Sequence, residues 1–261
     1  MKNCVISLTS AQNRREHIIQ EFGKQGIDFE FFDAVTPEQT QQFCQSIGIQ
    51  LMNNQHLTDG EKACFMSHLA LWQKMLDDDI EYMAIFEDDI YLGENASLFL
   101  NNDEWLYLHQ LNFVKIETFL QERKLSRQFI PIGDQRKLHI LKEQHFGAAG
   151  YILSKKTADT LLGLLKKLQA QEIKPIDVLM FEDLPNADSS ILIHQLTPAI
   201  CIQEFIYTPM TISMPSSLEA IRVTQRRNRP KRTLLQKIQG ELSNISRKTV
   251  GKLSRTKIEF R

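Results

Sequence analysis

Three consecutive carboxylates, Glu87, Asp88 and Asp89, follow the apolar stretch YMAIF and precede a second apolar stretch, IYL. Side chains alternate in direction along a strand, so Glu87 and Asp89 share one face and Asp88 the other, unless the chain turns first. Three adjacent carboxylates repel one another unless a cation compensates them. Because Mg²⁺ and Mn²⁺ take carboxylate oxygens and bridge to phosphate oxygens, the triplet predicts a metal site for a phosphorylated substrate.

The alternative interpretation of the triplet is a solvated acidic turn. Asp77, Asp78 and Asp79 lie only eight residues earlier and predict such a surface loop. The apolar residues on both sides of the second triplet place it closer to the core. No phosphate loop of the GxxxxGK[ST] type occurs, and GAAG at 147–150 is too short for a dinucleotide fingerprint. Sugar-nucleotide transfer remains, because it needs a cation on a diphosphate but no phosphate loop.

The clearest predicted helix reads LTDGEKACFMSHLALWQKML. Thr58 and Glu61 have the spacing of a capping box, which by itself explains both residues without function. Glu61, His68 and Trp72 then fall on one stripe of the helix. His68 is either a buried core histidine or a residue with a direct role at the site.

The elements that must position these residues alternate between strands and helices. Strands are predicted at NCVISL, FEFFDAV, YMAIF, FVKIET and GAAGYILS, a hairpin at SRQFIPI and KLHIL, and a helix over 96–111. This alternation predicts an α/β fold built on a mostly parallel sheet. In such sheets, ligands bind beyond the carboxyl ends of the strands, where the acidic triplet stands.

Composition indicates an ordinary globular protein: 261 residues, 42% hydrophobic and 24% charged, enough to bury a sizeable core. The four cysteines form no CxxC pair, and we expect no histidine at metal-ligand spacing beside them. Neither a zinc knuckle nor a disulfide framework is therefore predicted. Reduced, mostly buried thiols are expected. No apolar run approaches the roughly 18 residues that span a bilayer, and the N-terminus lacks a signal-peptide core, so a cytoplasmic protein is predicted.

Charge divides the chain into a predicted catalytic domain, residues 1–221, and a basic tail, residues 222–261. The tail holds thirteen Lys or Arg against two acids, whereas the domain is acidic. Its apolar residues recur at spacings of three to five, which predicts one or two amphipathic basic helices. With a single aromatic residue, Phe260, the tail is a poor nucleic-acid arm, and an anionic membrane surface is the expected partner.

Two stretches together resemble glycosyltransferase family 25, the lipooligosaccharide sugar transferases of Gram-negative bacteria and their collagen-modifying relatives. LTDGEKACFMSHLALW is similar to the family signature, and AIFEDDIYL resembles its Glu-Asp-Asp motif. Weaker similarities occur at VISLTSAQNRRE, FFDAV, GAAGYILSKKTAD and PID, so the resemblance covers about residues 3 to 205. Lys62 and Ala63 depart from the Ile-Gly pair that is common before the signature cysteine.

This resemblance implies a GT-A-type nucleotide-sugar transferase fold, Mn²⁺ or Mg²⁺ as cofactor, a UDP-sugar donor and inversion at the anomeric carbon. It implies that Asp89 is a direct metal ligand, that Glu87 is a second or water-mediated ligand, and that Asp88 meets the ribose or the donor sugar. The other donor-binding residues expected on this basis are Leu8, Thr9, Arg14, Asp33, Ala34, Glu61, Ser67 and His68. For Arg14, a solvated helix residue is the alternative.

An inverting transfer also needs a general base that deprotonates the acceptor hydroxyl. We predict Asp177 for this role, because it follows Pro175 in a short loop at an expected element start and matches the family's Pro-Val-Asp. Glu182, Asp183 and Asp188 are close enough in sequence to compete. An N-cap of the segment DVLMF is the alternative interpretation of Asp177.

The leading functional hypothesis is a lipooligosaccharide galactosyltransferase that uses UDP-galactose, acts on a glycolipid acceptor and lies on the inner face of the bacterial inner membrane. The same fold with UDP-glucose or another UDP-sugar is a second hypothesis. A non-catalytic, membrane-associated glycan or nucleotide binder is a third, of another class. The presence of both an acidic metal motif and a candidate base argues against the third hypothesis.

Overall fold

A computed structural model describes residues 1–208 and 255–261 of the chain. The strands in these residues are β1 (Lys2–Ser7), β2 (Glu30–Asp33), β3 (Tyr82–Glu87), β4 (Ile90–Leu92), β5 (Phe113–Lys115), β6 (Glu122–Ile132), β7 (Arg136–Leu141), β8 (Gly150–Ser154), β9 (His194–Thr197), β10 (Cys201–Gln203) and β11 (Arg255–Lys257). Nine of these form one sheet in the order β11-β6-β7-β9-β5-β8-β3-β1-β2, and β10 pairs with β4 in a small second sheet.

Strand direction in the large sheet is mixed. β1 runs parallel to both β2 and β3, and β5 runs parallel to β9. The other five neighbouring pairs of the described sheet are antiparallel. β8 runs opposite to its neighbours β3 and β5, and β7 runs opposite to β6 and β9. Six of the nine strands in the described sheet still point the same way. Most strands therefore share one direction, as expected for a mostly parallel sheet. Antiparallel pairs of neighbouring strands nevertheless outnumber parallel pairs.

Helices cover both faces of the sheet, and none in the described ranges has the length and apolar character required to cross a bilayer. They are α1 (Gln12–Gly23), α2 (Thr40–Ile47), α3 (Asp59–Asp77), α4 (Ser97–Leu100), α5 (Glu104–Leu108), α6 (Lys155–Leu165), α7 (Ile176–Val178), α8 (Leu184–Ala187) and α9 (Glu204–Tyr207). A π-helical turn, Leu179–Asp183, joins α7 to α8.

The alternation of apolar residues in the central strands creates two cores, one on each face. Cys4 and Ile6 of β1 pack with the buried residues of α2, α3 and α6. Val5, between them, packs on the opposite face with Ile18 and Phe22 of α1. Strands buried on both faces read as continuous apolar runs, which explains NCVISL and YMAIF. The result is a three-layer α/β/α arrangement, in agreement with the predicted α/β class.

The helix predicted over 96–111 is wrong as a single element. The structure has two short helices there, α4 and α5, separated by Asn101, Asn102 and Asp103. Asn102 Nδ2 donates to the carbonyl oxygen of Leu98 at 3.2 Å. Asn and Asp side chains compete with the helix by bonding nearby backbone groups, which accounts for the break.

Residues 255–261 pack against the sheet. β11 adds an antiparallel strand beside β6. Thr118 Oγ1 donates to the carbonyl oxygen of Ile258 at 2.6 Å, and the backbone N–H of Ala199 donates to that of Glu259 at 2.8 Å. The predicted basic helix is therefore wrong for residues 255–257, because the open edge of β6 pairs with their backbone. The boundary predicted at residue 221 and the rest of the predicted tail lie outside the described residues.

Ile258 anchors this segment, and its truncation should destabilise the fold. Its side chain is completely buried against Leu125 and Ala199. We expect Ile258→Ala to lower the free energy of unfolding by about 2–5 kcal/mol, the usual cost of a large-to-small change in a core. Denaturant titration measures this change. The exposed neighbour Lys257 provides the control, because Lys257→Ala should change stability by less than about 0.5 kcal/mol. Equal stability of the two variants would contradict the proposed anchoring.

Candidate active site

The carboxyl ends of β1, β2, β3 and β5 meet at one edge of the large sheet. Ser7 ends β1, Asp33 ends β2 and Glu87 ends β3. Because β8 runs in the opposite direction, residues 147–149, which precede it, lie at the same edge, and the backbone N–H of Glu87 donates to the carbonyl oxygen of Ala149 at 3.2 Å. The acidic triplet thus stands where ligands bind in sheets of this kind.

The chain turns immediately after Glu87. Asp88 and Asp89 form the turn between β3 and β4, yet their exposed fractions are only 7% and 6%. The turn is buried because β4 pairs with β10, which places Gln203 opposite Ile90 and folds the later chain over the strand end. The alternative of a solvated acidic turn is therefore wrong.

Asp88 is directed toward β1 and α1. Ser7 Oγ donates to its Oδ2 at 2.7 Å, and an Arg14 guanidinium nitrogen donates to its Oδ1. The same guanidinium lies 4.0 Å from a carboxylate oxygen of Asp89. Arg14 is therefore an inward-facing partner of the triplet, and the alternative of a solvated helix residue is wrong.

Glu87 and Asp89 converge on a shared partner. Gln203 Nε2 donates to Glu87 Oε2 at 3.2 Å and to Asp89 Oδ1 at 3.1 Å. One amide nitrogen therefore lies between two carboxylates, while Asp88 is bonded elsewhere. The triplet is divided as expected, but the division arises in the turn, because Asp88 and Asp89 lie outside β3 and strand alternation does not orient them.

The electrostatics of this pair favour a cation. Burial and the neighbouring Glu87 carboxylate raise the pKa of Asp89 to about 7, although Arg14 acts in the opposite direction. Two carboxylates in a desolvated site cannot both ionise without compensation. Their oxygens are the hard donors that Mg²⁺ and Mn²⁺ prefer, so Glu87 and Asp89 fit the cation that the sequence predicts.

The start of α3 is capped as predicted. Glu61 N–H donates to Thr58 Oγ1 at 3.1 Å, and Glu61 Oε2 accepts from Thr58 N–H at 3.0 Å. Further along, Ser67 Oγ accepts from Val35 N–H at 2.9 Å and donates to the Ala63 carbonyl oxygen at 2.9 Å. Glu61 therefore caps α3, and Ser67 binds the backbone of Val35, which follows β2.

His68 lies next to Glu87 and is completely buried. Its Nδ1 is 2.9 Å from the hydroxyl of Tyr151, which also accepts a hydrogen bond from Trp72 Nε1 at 2.9 Å. Its Nε2 is 3.7 Å from Glu87 Oε1. Burial lowers the pKa of His68 to about 4 against the opposing effect of Asp177, so the imidazole is neutral at pH 7. His68 is thus both a core residue and a neighbour of the predicted metal ligand.

The remaining predicted donor-binding residues form the rim of the site. Leu8 and Thr9 are exposed in the loop after β1. Asp33 forms an ion pair with Arg15, and Ala34 N–H donates to the Ser7 carbonyl oxygen at 2.9 Å. These contacts hold the ends of β1 and β2 together beside the triplet.

Asp177 lies in the first turn of α7, where Pro175 is the N-cap residue. The N-cap interpretation of Asp177 is therefore wrong. Its Oδ2 accepts from Gly147 N–H at 3.1 Å and its Oδ1 accepts from Val178 N–H at 3.0 Å. The contact with Gly147 joins α7 to the sheet edge, where the triplet also lies.

Two of the competing acids have other partners. Asp183 forms an ion pair with Lys174 at 2.8 Å. Asp188 accepts from Ser190 N–H at 2.9 Å. Asp183 and Asp188 thus stabilise their own segments, whereas Asp177 contacts the sheet edge through Gly147.

A buried ion pair at the end of β5 is absent from the sequence predictions. Lys115 Nζ lies 2.8 Å from Glu117 Oε2, and neither side chain is exposed. Lys115 Nζ also donates to the Gly147 carbonyl oxygen at 2.6 Å, while Glu117 Oε2 accepts from Ala149 N–H at 3.1 Å. The pair therefore fixes the segment that holds Asp177. A lysine and a glutamate two residues apart in the apolar strand FVKIET are the signal that could have revealed it.

Gly147 is required by this arrangement. Its φ of 78° lies in the left-handed region. A Cβ at this position would also lie 2.6 Å from Glu117 Oε1. Both the backbone conformation and the space therefore favour glycine beside the ion pair.

The Lys115–Glu117 pair should make stability depend on pH. Burial raises the pKa of Glu117 to about 7, although Lys115 lowers it. The folded protein then keeps a proton that the unfolded chain releases near pH 4, so this stabilisation is complete below about pH 4 and is lost as the pH rises through about 7. Relative to the Lys115→Met/Glu117→Gln double variant, we expect the wild-type free energy of unfolding to fall by on the order of 3 kcal/mol between pH 4 and 8. A difference that urea titrations show to be constant over this range would contradict the assignment.

Comparison with known proteins gives a family match over residues 1–180, to glycosyltransferase family 25 (LPS biosynthesis protein). The lipooligosaccharide biosynthesis protein lex-1 of Haemophilus influenzae is 37% identical, over 95% of this chain and 91% of that protein. The lipooligosaccharide biosynthesis protein lic2B of the same species is 39% identical, over 96% and 95%. The lacto-N-neotetraose biosynthesis glycosyltransferase LgtB of Neisseria meningitidis serogroup B is 36% identical, over 95% and 94%.

Among solved structures, a glycosyltransferase involved in the glycosylation of the major capsid of PBCV-1 overlaps 84% of this chain and 98% of its own. The two are 10% identical, with a TM-score of 0.38. A TM-score this low carries no argument about fold or mechanism.

Proposed function

The chain belongs to glycosyltransferase family 25, and from this membership we propose that it transfers a sugar from a UDP-sugar to a lipooligosaccharide acceptor, with inversion at the anomeric carbon. Mn²⁺ or Mg²⁺ is the proposed cofactor. Galactose is the proposed sugar, with glucose as the alternative. The relatives lex-1 and lic2B are lipooligosaccharide biosynthesis proteins, which supports the proposed acceptor class.

The observation that carries the proposal is the division of the acidic triplet. Glu87 and Asp89 share the Gln203 amide, whereas Asp88 bonds to Ser7 and Arg14. The partly buried carboxylate of Glu87 and the buried carboxylate of Asp89 share one amide donor and are expected to hold a cation. A cation in this position would neutralise the diphosphate leaving group of the donor. A protein that only binds glycans would not need such a pair.

Asp177 is the proposed general base. In the transfer, the acceptor hydroxyl oxygen forms a bond to the anomeric carbon, the bond from that carbon to the diphosphate oxygen breaks, and Asp177 takes the hydroxyl proton. The contacts from Gly147 and Val178 orient its carboxylate. Lys115 and Glu117 act indirectly, because they fix the backbone around Gly147, which in turn contacts Asp177.

The rim residues supply the proposed nucleotide contacts. Leu8 and Thr9 lie beside the uridine or diphosphate in this proposal, and Asp33 and Ala34 lie beside the uracil or ribose. Arg14 is close enough to the triplet to balance its charge and to face a phosphate. His68 is neutral and completely buried, so in this proposal it acts on the donor site through its neighbour Glu87 and not as a cation.

Membrane attachment by the basic residues of 222–254 completes the proposal, because the proposed acceptor is a glycolipid. Each cation near an anionic surface adds about 1 kcal/mol of attraction. A variant with five cations replaced by Gln should co-sediment less with anionic liposomes, while its low binding to neutral liposomes should not change. The five replaced residues are Arg226, Arg227, Arg229, Lys231 and Arg232. Unchanged sedimentation of this variant would contradict the attachment.

A donor screen tests the proposed function. The full chain is incubated with a deacylated lipooligosaccharide acceptor, Mn²⁺ and, separately, UDP-galactose, UDP-glucose and other UDP-sugars, and products are identified by mass spectrometry and NMR. We expect one donor, most simply UDP-galactose, to give a product with inverted anomeric configuration. Turnover of UDP-glucose instead would select the alternative sugar. If no UDP-sugar is bound or consumed, the proposed function is wrong.

A further inference from the structure

A second group of ligand atoms lies beside the acidic triplet. Cys64 and His68 of α3 and Glu87 of β3 each direct one potential metal ligand to a common point, and the three atoms all lie within 4.8 Å of one another. His68 Nε2 and Glu87 Oε1 are 3.7 Å apart. Nitrogen and oxygen ligands of one tetrahedral Zn²⁺ stand about 3.4 Å apart, so only a small adjustment separates this geometry from a metal site.

The imidazole of His68 is the second observation that points to a ligand. Its side chain is 0% exposed, and its Nε2 has no hydrogen-bond partner. A buried polar atom left in this condition is destabilising, and a bound cation would offset that cost. In the tautomer with the proton on Nδ1, that nitrogen donates to the Tyr151 hydroxyl, and Nε2 presents its lone pair to the cluster. Tyr151, held in turn by Trp72, then acts as the outer partner that orients the ligating ring.

The spacing of Cys64 and His68 in the sequence is a signal for this group of ligands. His68 follows Cys64 by four residues, so the two side chains project from one face of α3. The expectation that no histidine stands at metal-ligand spacing from a cysteine is therefore wrong. None of the four cysteines forms a disulfide, in agreement with the prediction, and Cys4, Cys44 and Cys201 are buried, whereas Cys64 is partly exposed.

The chemistry of the three ligands selects a borderline or soft cation. A thiolate and a carboxylate carry two negative charges and the imidazole is neutral, which balances a divalent cation. Thiolate with imidazole suits Zn²⁺ and Co²⁺, whereas Mg²⁺ and Mn²⁺ prefer oxygen ligands alone. Three protein ligands leave a fourth position open, which is typical of reactive or exchangeable zinc sites rather than of closed structural ones.

We propose that Cys64, His68 and Glu87 form a site for one thiophilic divalent cation, Zn²⁺ in particular, distinct from the oxygen site of Glu87 and Asp89. The two sites share Glu87, which presents Oε1 to His68 and Oε2 to Gln203. Two cations on one carboxylate repel each other, so Zn²⁺ weakens binding of the hard cation. Zn²⁺ is thus an antagonist of the hard cation at Glu87.

Cobalt absorption tests the site without any sugar donor. The full chain, reduced and freed of metal, is titrated with Co²⁺, and the thiolate-to-cobalt charge-transfer band is recorded in the near ultraviolet. We expect a band that saturates at one Co²⁺ per chain and that Zn²⁺ abolishes by displacement. Cys64→Ser should remove the band, and His68→Gln should weaken Co²⁺ binding by at least about tenfold. Cys44→Ser, which alters a buried thiol on α2, should leave the band unchanged.

The proposal is overturned if the wild-type chain gives no band, or if the band survives in Cys64→Ser. Circular dichroism confirms that each variant is folded before the titration. The antagonism has a separate test, which rests on the proposed function. Zn²⁺ should inhibit Mn²⁺-dependent transfer in the wild-type chain and inhibit Cys64→Ser at least about tenfold less strongly. A cobalt band without transferase activity would retain the metal site and reject the proposed function.

Discussion

Asp89→Asn should reduce the rate of sugar transfer by on the order of 10³. A cation at a departing diphosphate contributes several kcal/mol of transition-state stabilisation, and Asp89 is its proposed direct ligand. The asparagine oxygen can still accept from Gln203, so the local contact at 3.1 Å is kept while the charge is removed. The measurement is kcat/KM for the donor at saturating Mn²⁺, with acceptor in excess.

Asp159→Asn is the matched control, because Asp159 is an exposed aspartate on α6, away from the sheet edge. It should keep the wild-type rate. The buried environment that raises the pKa of Asp89 also predicts that Asp89→Asn folds normally, since it removes a charge from a desolvated position. A folded Asp89→Asn variant with near wild-type kcat/KM would remove Asp89 from the metal site.

Asp177→Asn should reduce kcat by about 10²–10⁴, the usual contribution of a general base. Donor binding should change little, because the nearest contacts of Asp177 are the backbone N–H groups of Gly147 and Val178 rather than the rim residues. The expected signature is therefore a loss in kcat with the KM for the donor unchanged. Hydrolysis of the donor by water should continue at a similar rate.

Asp183→Asn is the control for this variant. Asp183 belongs to the same helical segment, but its carboxylate pairs with Lys174. We expect wild-type transfer from it. If Asp177→Asn transfers sugar at the wild-type rate while Asp183→Asn does not, the base has been assigned to the wrong carboxylate.

Local sequence signals predict the acidic part of the site well. Apolar residues on both sides of the triplet indicate burial, whereas the separation of Asp88 from Glu87 and Asp89 arises in the turn after β3. The spacing of Thr58 and Glu61 predicts the cap that starts α3. Each of these features depends on residues close together in the chain, where periodicity and capping rules apply.

The residues that complete the site come from distant parts of the chain and were not predicted. Gln203 reaches Asp89 across 114 residues only because β10 pairs with β4. The short strands β4 and β10, three residues each, are too brief to show a periodic pattern. Lys115 ends β5 and Glu117 follows it, and only the fold shows that these two charged residues are paired rather than exposed.

The C-terminal residues illustrate how tertiary structure overrides a local pattern. Apolar residues between cations at 222–261 predict an amphipathic helix. Residues 255–257 nevertheless form a strand, because the edge of β6 is available and the side chain of Ile258 fills a space beside Leu125 and Ala199. Helical periodicity over a short basic segment does not contain that information.

Calorimetric titration of UDP into the full chain, with saturating Mn²⁺ or with EDTA, tests the central claim most directly. That claim is that Glu87 and Asp89 hold a divalent cation which in turn holds the diphosphate of the donor. We expect UDP to bind at least about tenfold more tightly with Mn²⁺ than with EDTA, and we expect Asp89→Asn to abolish this difference. Equal affinity for UDP in Mn²⁺ and in EDTA would contradict the claim.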